Sequence, residues 1–182
     1  MLSFRYFKAD PTTYVLQYRK GAIKRQGVGL SFFYFEPSTA LVAIPVASQE
    51  AAYMMKESTA DFQEVTLQGQ VVFRVSEPER LAGMMNYTLS SDGKGYQSKD
   101  PEKLADRILN LVQVMLRAEV QALTLRDALA ASKPLVQSVG EHLRQSDVLA
   151  NLGIQVVDFA IQAIRPAPET ARALEAAARE AM

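Results

Sequence analysis

Between residues 62 and 75 the chain alternates with a period of two. Val65, Leu67, Gly69, Val71, Phe73 and Val75 fall on one side, and Glu64, Thr66, Gln68, Gln70, Val72 and Arg74 on the other. Successive side chains of a strand point to opposite faces, so this segment predicts a long strand of an antiparallel sheet, buried on one face and wet on the other. Gly69, in its middle, predicts a bulge or bend. After Val75 the period changes. Ser76-Glu77-Pro78-Glu79 predicts a helix start, with Ser76 as the cap and Pro78 in the first turn, running to about Tyr87. A long alternating strand followed by helical periodicity places the chain in the α+β class.

Upstream, residues 12–19 are rich in Tyr, Val and Thr, and Lys20-Gly21 predicts a tight turn into a second strand over 22–25. Gly27 and Gly29 lead into an aromatic run over 30–35, Glu36-Pro37-Ser38 breaks it, and β-branched residues resume over 39–47. Pro45 inside that last run marks an edge strand or a bulge. Downstream, residues 90–99 carry Gly93 and Gly95 without an apolar pattern and read as a mobile loop. Asp100-Pro101-Glu102 opens the longest helix. Its seam, Leu104, Ile108, Leu111, Met115, Ala118, Ala122, Leu125 and Leu129, fits a coiled coil or one face lying on a sheet. Thr124-Leu125-Arg126-Asp127 forms a fresh capping signal, which predicts a break near Leu123. Pro134 begins a further helix expected to reach about Asn151 and stop at Gly153. Residues 153–165 return to strand with Ile154, Val156, Phe159 and Ile161 as apolar positions, and a slip of phase at Val157-Asp158. Pro166 then introduces a helix over 168–182. Its apolar positions, Ala171, Leu174 and Ala178, are small, so it buries little alone and is expected to continue beyond Met182 and pair with partners.

The residues for catalysis are sparse. Without cysteine there is no disulfide and no thiolate metal site. His142 is the single histidine, which leaves no Cys-His pair and no second imidazole for zinc. Gly27 to Ser31 spells Gly-x-Gly-x-Ser but leads into a strand, unlike a nucleophile elbow. Gly93-Lys94-Gly95 lacks the flanking strand, the helix and the Lys-Ser/Thr ending of a phosphate loop. The carboxylate pairs Glu77/Glu79 and Glu57/Asp61 lie near element ends, where acids serve capping and solubility. We therefore expect no catalytic residue, no cofactor and no metal. Twenty basic and twenty acidic residues cancel, against the cationic excess of a nucleic-acid binder. Neither a secretory signal nor an apolar run of about 18 residues is present.

Charge is nonetheless uneven. Arg5, Lys8, Arg19, Lys20, Lys24 and Arg25 face a single acid, Asp10, within the first 25 residues. Beside them runs Leu30-Ser31-Phe32-Phe33-Tyr34-Phe35. In a strand either Phe33 and Phe35 or Phe32 and Tyr34 point away from the core, and aromatics beside Lys and Arg suit the interface of an anionic bilayer. A strand buried on both faces would equally account for the rings. The candidate membrane-contact residues are Leu30, Phe32, Phe33, Tyr34, Phe35, Arg19, Lys20, Lys24 and Arg25. The candidate oligomerisation residues are Ala171, Leu174 and Ala178.

Five segments in order resemble the SPFH (Band 7) domain of the stomatin, prohibitin and flotillin superfamily. They are Pro11-Thr12-Thr13-Tyr14-Val15-Leu16-Gln17-Tyr18, Gly29 to Phe35, Asp61-Phe62-Gln63-Glu64-Val65-Thr66, residues 117–129, and Leu152-Gly153-Ile154-Gln155-Val156 leading to Ile164-Arg165-Pro166. The resemblance implies a strand-rich N-terminal subdomain over 1–75, a helix-strand subdomain over 76–165, and the start of a coiled-coil oligomerisation helix over 166–182. It also implies a non-catalytic scaffold that forms large homo-oligomers on membranes, organises microdomains and regulates neighbouring membrane proteins, proteases among them. The family's membrane-facing apolar segment maps onto residues 30–35. Many members carry an N-terminal anchoring helix that is not seen here, so the expected location is peripheral, at the cytoplasmic face, or cytoplasmic where no anchor exists. The rival readings are a soluble adaptor that binds a partner protein through its C-terminal helix without lipid, and a hydrolase with an unrecognised site.

Overall fold

The computed structural model describes residues 3–182; Met1 and Leu2, the first residues of the expected 1–75 subdomain, lie outside the described residues. The strands β1 (Phe4–Lys8), β2 (Thr13–Arg19), β3 (Ala22–Val28), β4 (Ser31–Phe35), β5 (Thr39–Pro45), β6 (Gln49–Ser58) and β7 (Glu64–Val75) come first. The helices α1 (Pro78–Met84), α2 (Asp100–Val120), α3 (Leu125–Leu129), α4 (Ser132–Arg144) and α5 (Asp147–Asn151) follow, then strand β8 (Ile154–Pro166) and helix α6 (Pro168–Glu180). The class is α+β. The chain forms two compact units, one from Met1–Gln49, Phe73–Asp106 and Asp147–Gln155, the other from Glu50–Val72, Arg107–Ser146 and Val156–Met182. Neither unit is a continuous stretch.

The first unit holds a three-stranded antiparallel sheet in the order β3-β2-β5 and a two-stranded ribbon of β1 and β4. Lys20 and Gly21, both at positive φ (54° and 77°), join β2 to β3 as a two-residue hairpin, the geometry that matches the natural strand twist. Pro45 ends the edge strand β5, where its missing N–H costs no ladder bond. Val15, Phe32, Tyr34, Leu41, Ala43 and Leu89 form the core of this unit. Helix α1 starts differently from expectation. Glu77 is the cap residue and Ser76 donates its hydroxyl to the Gly153 carbonyl at 3.2 Å instead of capping. The helix stops at Met84, because Tyr87 is needed in an extended segment where its carbonyl accepts from Ala43 N–H. Within residues 90–99, expected as a mobile loop, hydrogen bonds close the segment: Ser90 N–H to Gly95 O at 2.9 Å, Ser90 hydroxyl to Asp92 at 2.6 Å, and Tyr96 hydroxyl to Ala43 O at 2.8 Å.

Most of the sheet β6-β7-β8 belongs to the second unit, the end of β7 and the start of β8 to the first. The alternation of β7 holds along its length, with Val65, Leu67, Val71, Phe73 and Val75 buried. The strand begins at Glu64 rather than Phe62, because a tight turn closed by Thr59 N–H to Gln63 O puts Phe62 at φ 60°, 91% exposed. The buried row of α2 is Leu104, Ile108, Val112, Leu116 and Val120, a spacing of four throughout. Ala118 and Ala122 of the expected seam are exposed, so α2 presents one packed face. The predicted break is present: Thr124 caps α3 by accepting from Asp127 N–H at 3.3 Å. The expected helix over 134–151 is two helices. Leu135, Val139 and Leu143 are buried at four-residue spacing, but the next buried leucine, Leu149, is six residues on, and polar Gln145-Ser146-Asp147 interrupt.

Candidate functional site

In the ribbon, Phe4 lies opposite Phe35, Arg5 opposite Tyr34, Tyr6 opposite Phe33 and Phe7 opposite Phe32. Paired residues share a face, so the register sorts the rings into two sets. Phe32 and Tyr34 are buried in the core and Phe7 packs against it. Phe4, Tyr6, Phe33 and Phe35 face outward and are 62%, 57%, 72% and 42% exposed. They stack in cross-strand pairs, Phe4 with Phe35 at 5.2 Å between centroids and Tyr6 with Phe33 at 4.8 Å. The aromatic strand is thus buried on one face only. A contiguous exposed aromatic face on a well-paired ribbon needs an explanation that scattered exposed residues do not.

Of the residues the sequence singles out, Phe33 and Phe35 stand on this face. Phe32 and Tyr34 belong to the core, and Leu30 is half-buried against it. Arg19, Lys20, Lys24 and Arg25 are exposed on the β2–β3 hairpin. Arg19 and Lys24 line the same cleft as Phe4, Phe33 and Phe35. The Arg25 guanidinium sits 5.1 Å from the centre of the Phe32 ring, and Lys20 borders a separate depression with Pro37 and Thr39. Arg5, on β1, pairs with Glu36 at 3.0 Å, a bond that raises its pKa. Phe4 and Tyr6 were not anticipated. Their signal was the alternation Phe4-Arg5-Tyr6-Phe7, obscured by the charges interleaved with it.

The titratable residues considered for chemistry have structural partners. Glu57, 6% exposed, accepts from Arg117 at 3.0 Å. Asp61 accepts from the Thr59 hydroxyl at 2.5 Å and from Leu125 N–H at 2.9 Å, and these bonds, the Thr59 one foremost, hold its pKa below the ordinary value. Glu77 lies 3.5 Å from Arg80, and Glu79 accepts from the Tyr14 hydroxyl at 3.1 Å. His142 is largely exposed, 3.9 Å from Glu119, which also accepts from the Ser138 hydroxyl. Among the described residues no group of three or more His, Cys, Asp or Glu is placed to hold a metal ion.

In α6, Ala171 is half-buried, while Leu174, 42% exposed, and Ala178 are open to solvent; the helix buries no residue. No helix among the described residues is long and apolar enough to cross a membrane. The SPFH domain / Band 7 family matches residues 7–182. No curated protein matches the chain.

Proposed function

The chain belongs to the SPFH domain / Band 7 family, whose members are generally membrane-associated, non-enzymatic scaffolds or regulators, and from that premise we propose that it lies peripherally on a membrane through the outward face of the β1–β4 ribbon. It works there without catalysis, as a scaffold at the cytoplasmic face. It self-assembles into large homo-oligomers, with α6 at the assembly surface, and organises the surrounding bilayer or regulates neighbouring membrane proteins, a protease being one such partner.

The observation that carries the reading is the exposed quartet Phe4, Tyr6, Phe33 and Phe35 beside the cations of the β2–β3 hairpin. Aromatic rings prefer the headgroup level of a bilayer, and each nearby Lys or Arg adds about 1 kcal/mol of attraction to an anionic surface. The test is flotation with anionic liposomes of the protein and of a Phe33→Ser/Phe35→Ser variant confirmed to be folded. Both substitutions lie on the open face, so the core is spared. The reading expects the parent to float and the variant to remain in the dense fraction. If neither floats, the unburied α6 supports the other reading, a soluble adaptor that captures a partner protein through that helix.

A further inference from the structure

Phe62 stands at φ 60° with its ring 91% exposed, in the turn between β6 and β7. Glycine and asparagine adopt this left-handed conformation readily, whereas for a bulky side chain it is strained. The turn fixes it there with many bonds. Phe62 N–H donates to the Thr59 carbonyl at 3.0 Å, and Gln63 N–H to the Thr59 hydroxyl at 3.1 Å. The junction of α2 and α3 braces the turn, through Leu125 N–H to Asp61 at 2.9 Å and Ala60 N–H to the Leu123 carbonyl at 2.8 Å. A lone exposed phenylalanine needs no explanation. One that its surroundings hold in a strained backbone, where the ring adds nothing to the core, points to a contact made outside the chain.

A seat for such a ring lies on the first unit. A depression of about 660 Å³ is lined by Tyr18, Pro37, Ala40, Val42 and Ala82, with Lys20 as its single charge. The cleft under Phe33 and Phe35 carries two cations and belongs to the ribbon face. A hollow beside Ser90 and Ser91 has about 130 Å³, short of the roughly 300 Å³ at which ligand sites begin. Phe62 is flanked by Asp61 and Glu64, and residues 59–64 hold no cation. An acid-flanked ring and an apolar hollow with one lysine are complementary in charge. Ring and hollow lie on different units, so a copy that offers its ring to one neighbour offers its hollow to another. Contacts of this unlike kind propagate into rings or filaments.

We infer that Phe62 of one copy seats in this depression of the next, with Asp61 and Glu64 facing Lys20 of that next copy. The inference deepens the self-assembly of the proposed function and rests on it. One seated ring buries far less than the roughly 1,200 Å² of a stable interface. The seat therefore fills in concentrated protein or inside an assembled particle, and stays open in a dilute single chain.

The chain has no cysteine, so introduced thiols report contacts without background. Ala60→Cys puts one beside Phe62 and Ala40→Cys one in the depression, both in place of exposed alanines. Oxidised as a concentrated equimolar mixture, the two variants should form the mixed dimer about tenfold faster than either forms its own, the worth of burying one aromatic ring. Adding Phe62→Asn to the Ala60→Cys chain should remove the excess. Phe62→Asn alone should raise the urea midpoint, because asparagine accepts the left-handed backbone. Higher stability together with lost association is a pair that a structural role for the ring would not give. A mixed dimer no faster than the like ones, an excess that survives Phe62→Asn, or a urea midpoint that falls in Phe62→Asn overturns the inference. Ala178→Cys, at an open position of α6, is read alongside. Cross-linking at 178 without the mixed-dimer excess overturns the seat and leaves assembly through α6 standing, whereas cross-linking at neither overturns both.

Discussion

At the level of single residues, Gly69 shows how a long-range contact sets a local choice. The Tyr53 hydroxyl donates to the Ala160 carbonyl at 2.8 Å, and the Tyr53 ring stacks on Phe159 at 5.9 Å. A Cβ on Gly69 would lie 2.5 Å from that hydroxyl and closer still to the Ala160 oxygen. Burial also raises the pKa of Tyr53, so the hydroxyl stays a donor throughout the physiological range. Alanine normally stabilises a strand relative to glycine. Here Gly69→Ala is expected to destabilise by about 1–3 kcal/mol, the usual cost of overpacking, seen as a lower urea midpoint with an unchanged slope. An unchanged or higher midpoint would mean that the Tyr53–Ala160 contact yields easily. Alternation along β7 picks out Gly69 as unusual but suggests a bulge as its reason; the partners responsible are 16 and 91 residues away and leave no local trace. Gln17 is similar. Its place in the motif Pro11 to Tyr18 is visible, its burial only in the fold.

At the level of elements, legibility follows how strictly a segment keeps one period. β7 and the Thr124 cap declare themselves because every position agrees with one template. β6 went unread because its buried face is Ala51, Tyr53, Met55 and Glu57, which mixes a charge with small and large residues, while Ala52 and Met54 are apolar but face outward. Glu57 is tolerated there because Arg117 and Gln113 of α2 reach it, at 3.0 and 3.4 Å. β1 was hidden in the same way by Arg5 and Lys8. α6 makes an element-scale prediction of its own. An amphipathic helix of 13 residues that buries none of them is weakly held by itself. Light scattering on residues 1–182 should therefore give a particle at or near the 20.1 kDa of one chain, whereas a chain with the helix extended should form large particles. A stable high-order particle from 1–182 alone would contradict the idea that α6 must be lengthened before the chain assembles.

At the scale of the whole molecule, family membership, the α+β class and the aromatic run were all readable before the fold was known, because they depend on segment order and composition. The identity of the outward face was not. Period two assigns Phe33 and Phe35 to one side and Phe32 and Tyr34 to the other, but only the pairing of β4 with β1 and the packing of Val15, Leu41 and Ala43 decide which side is covered. On the proposed function it is this face that meets the bilayer. The chain contains no tryptophan, so a single one reports its own surroundings without background. Phe33→Trp places it on the ribbon face, and Phe62→Trp places it at a second, still more open aromatic position in the other unit. With anionic vesicles containing bromine-labelled acyl chains, Trp at 33 should show a blue shift and strong quenching and Trp at 62 neither. Quenching at 62 with none at 33 would contradict it.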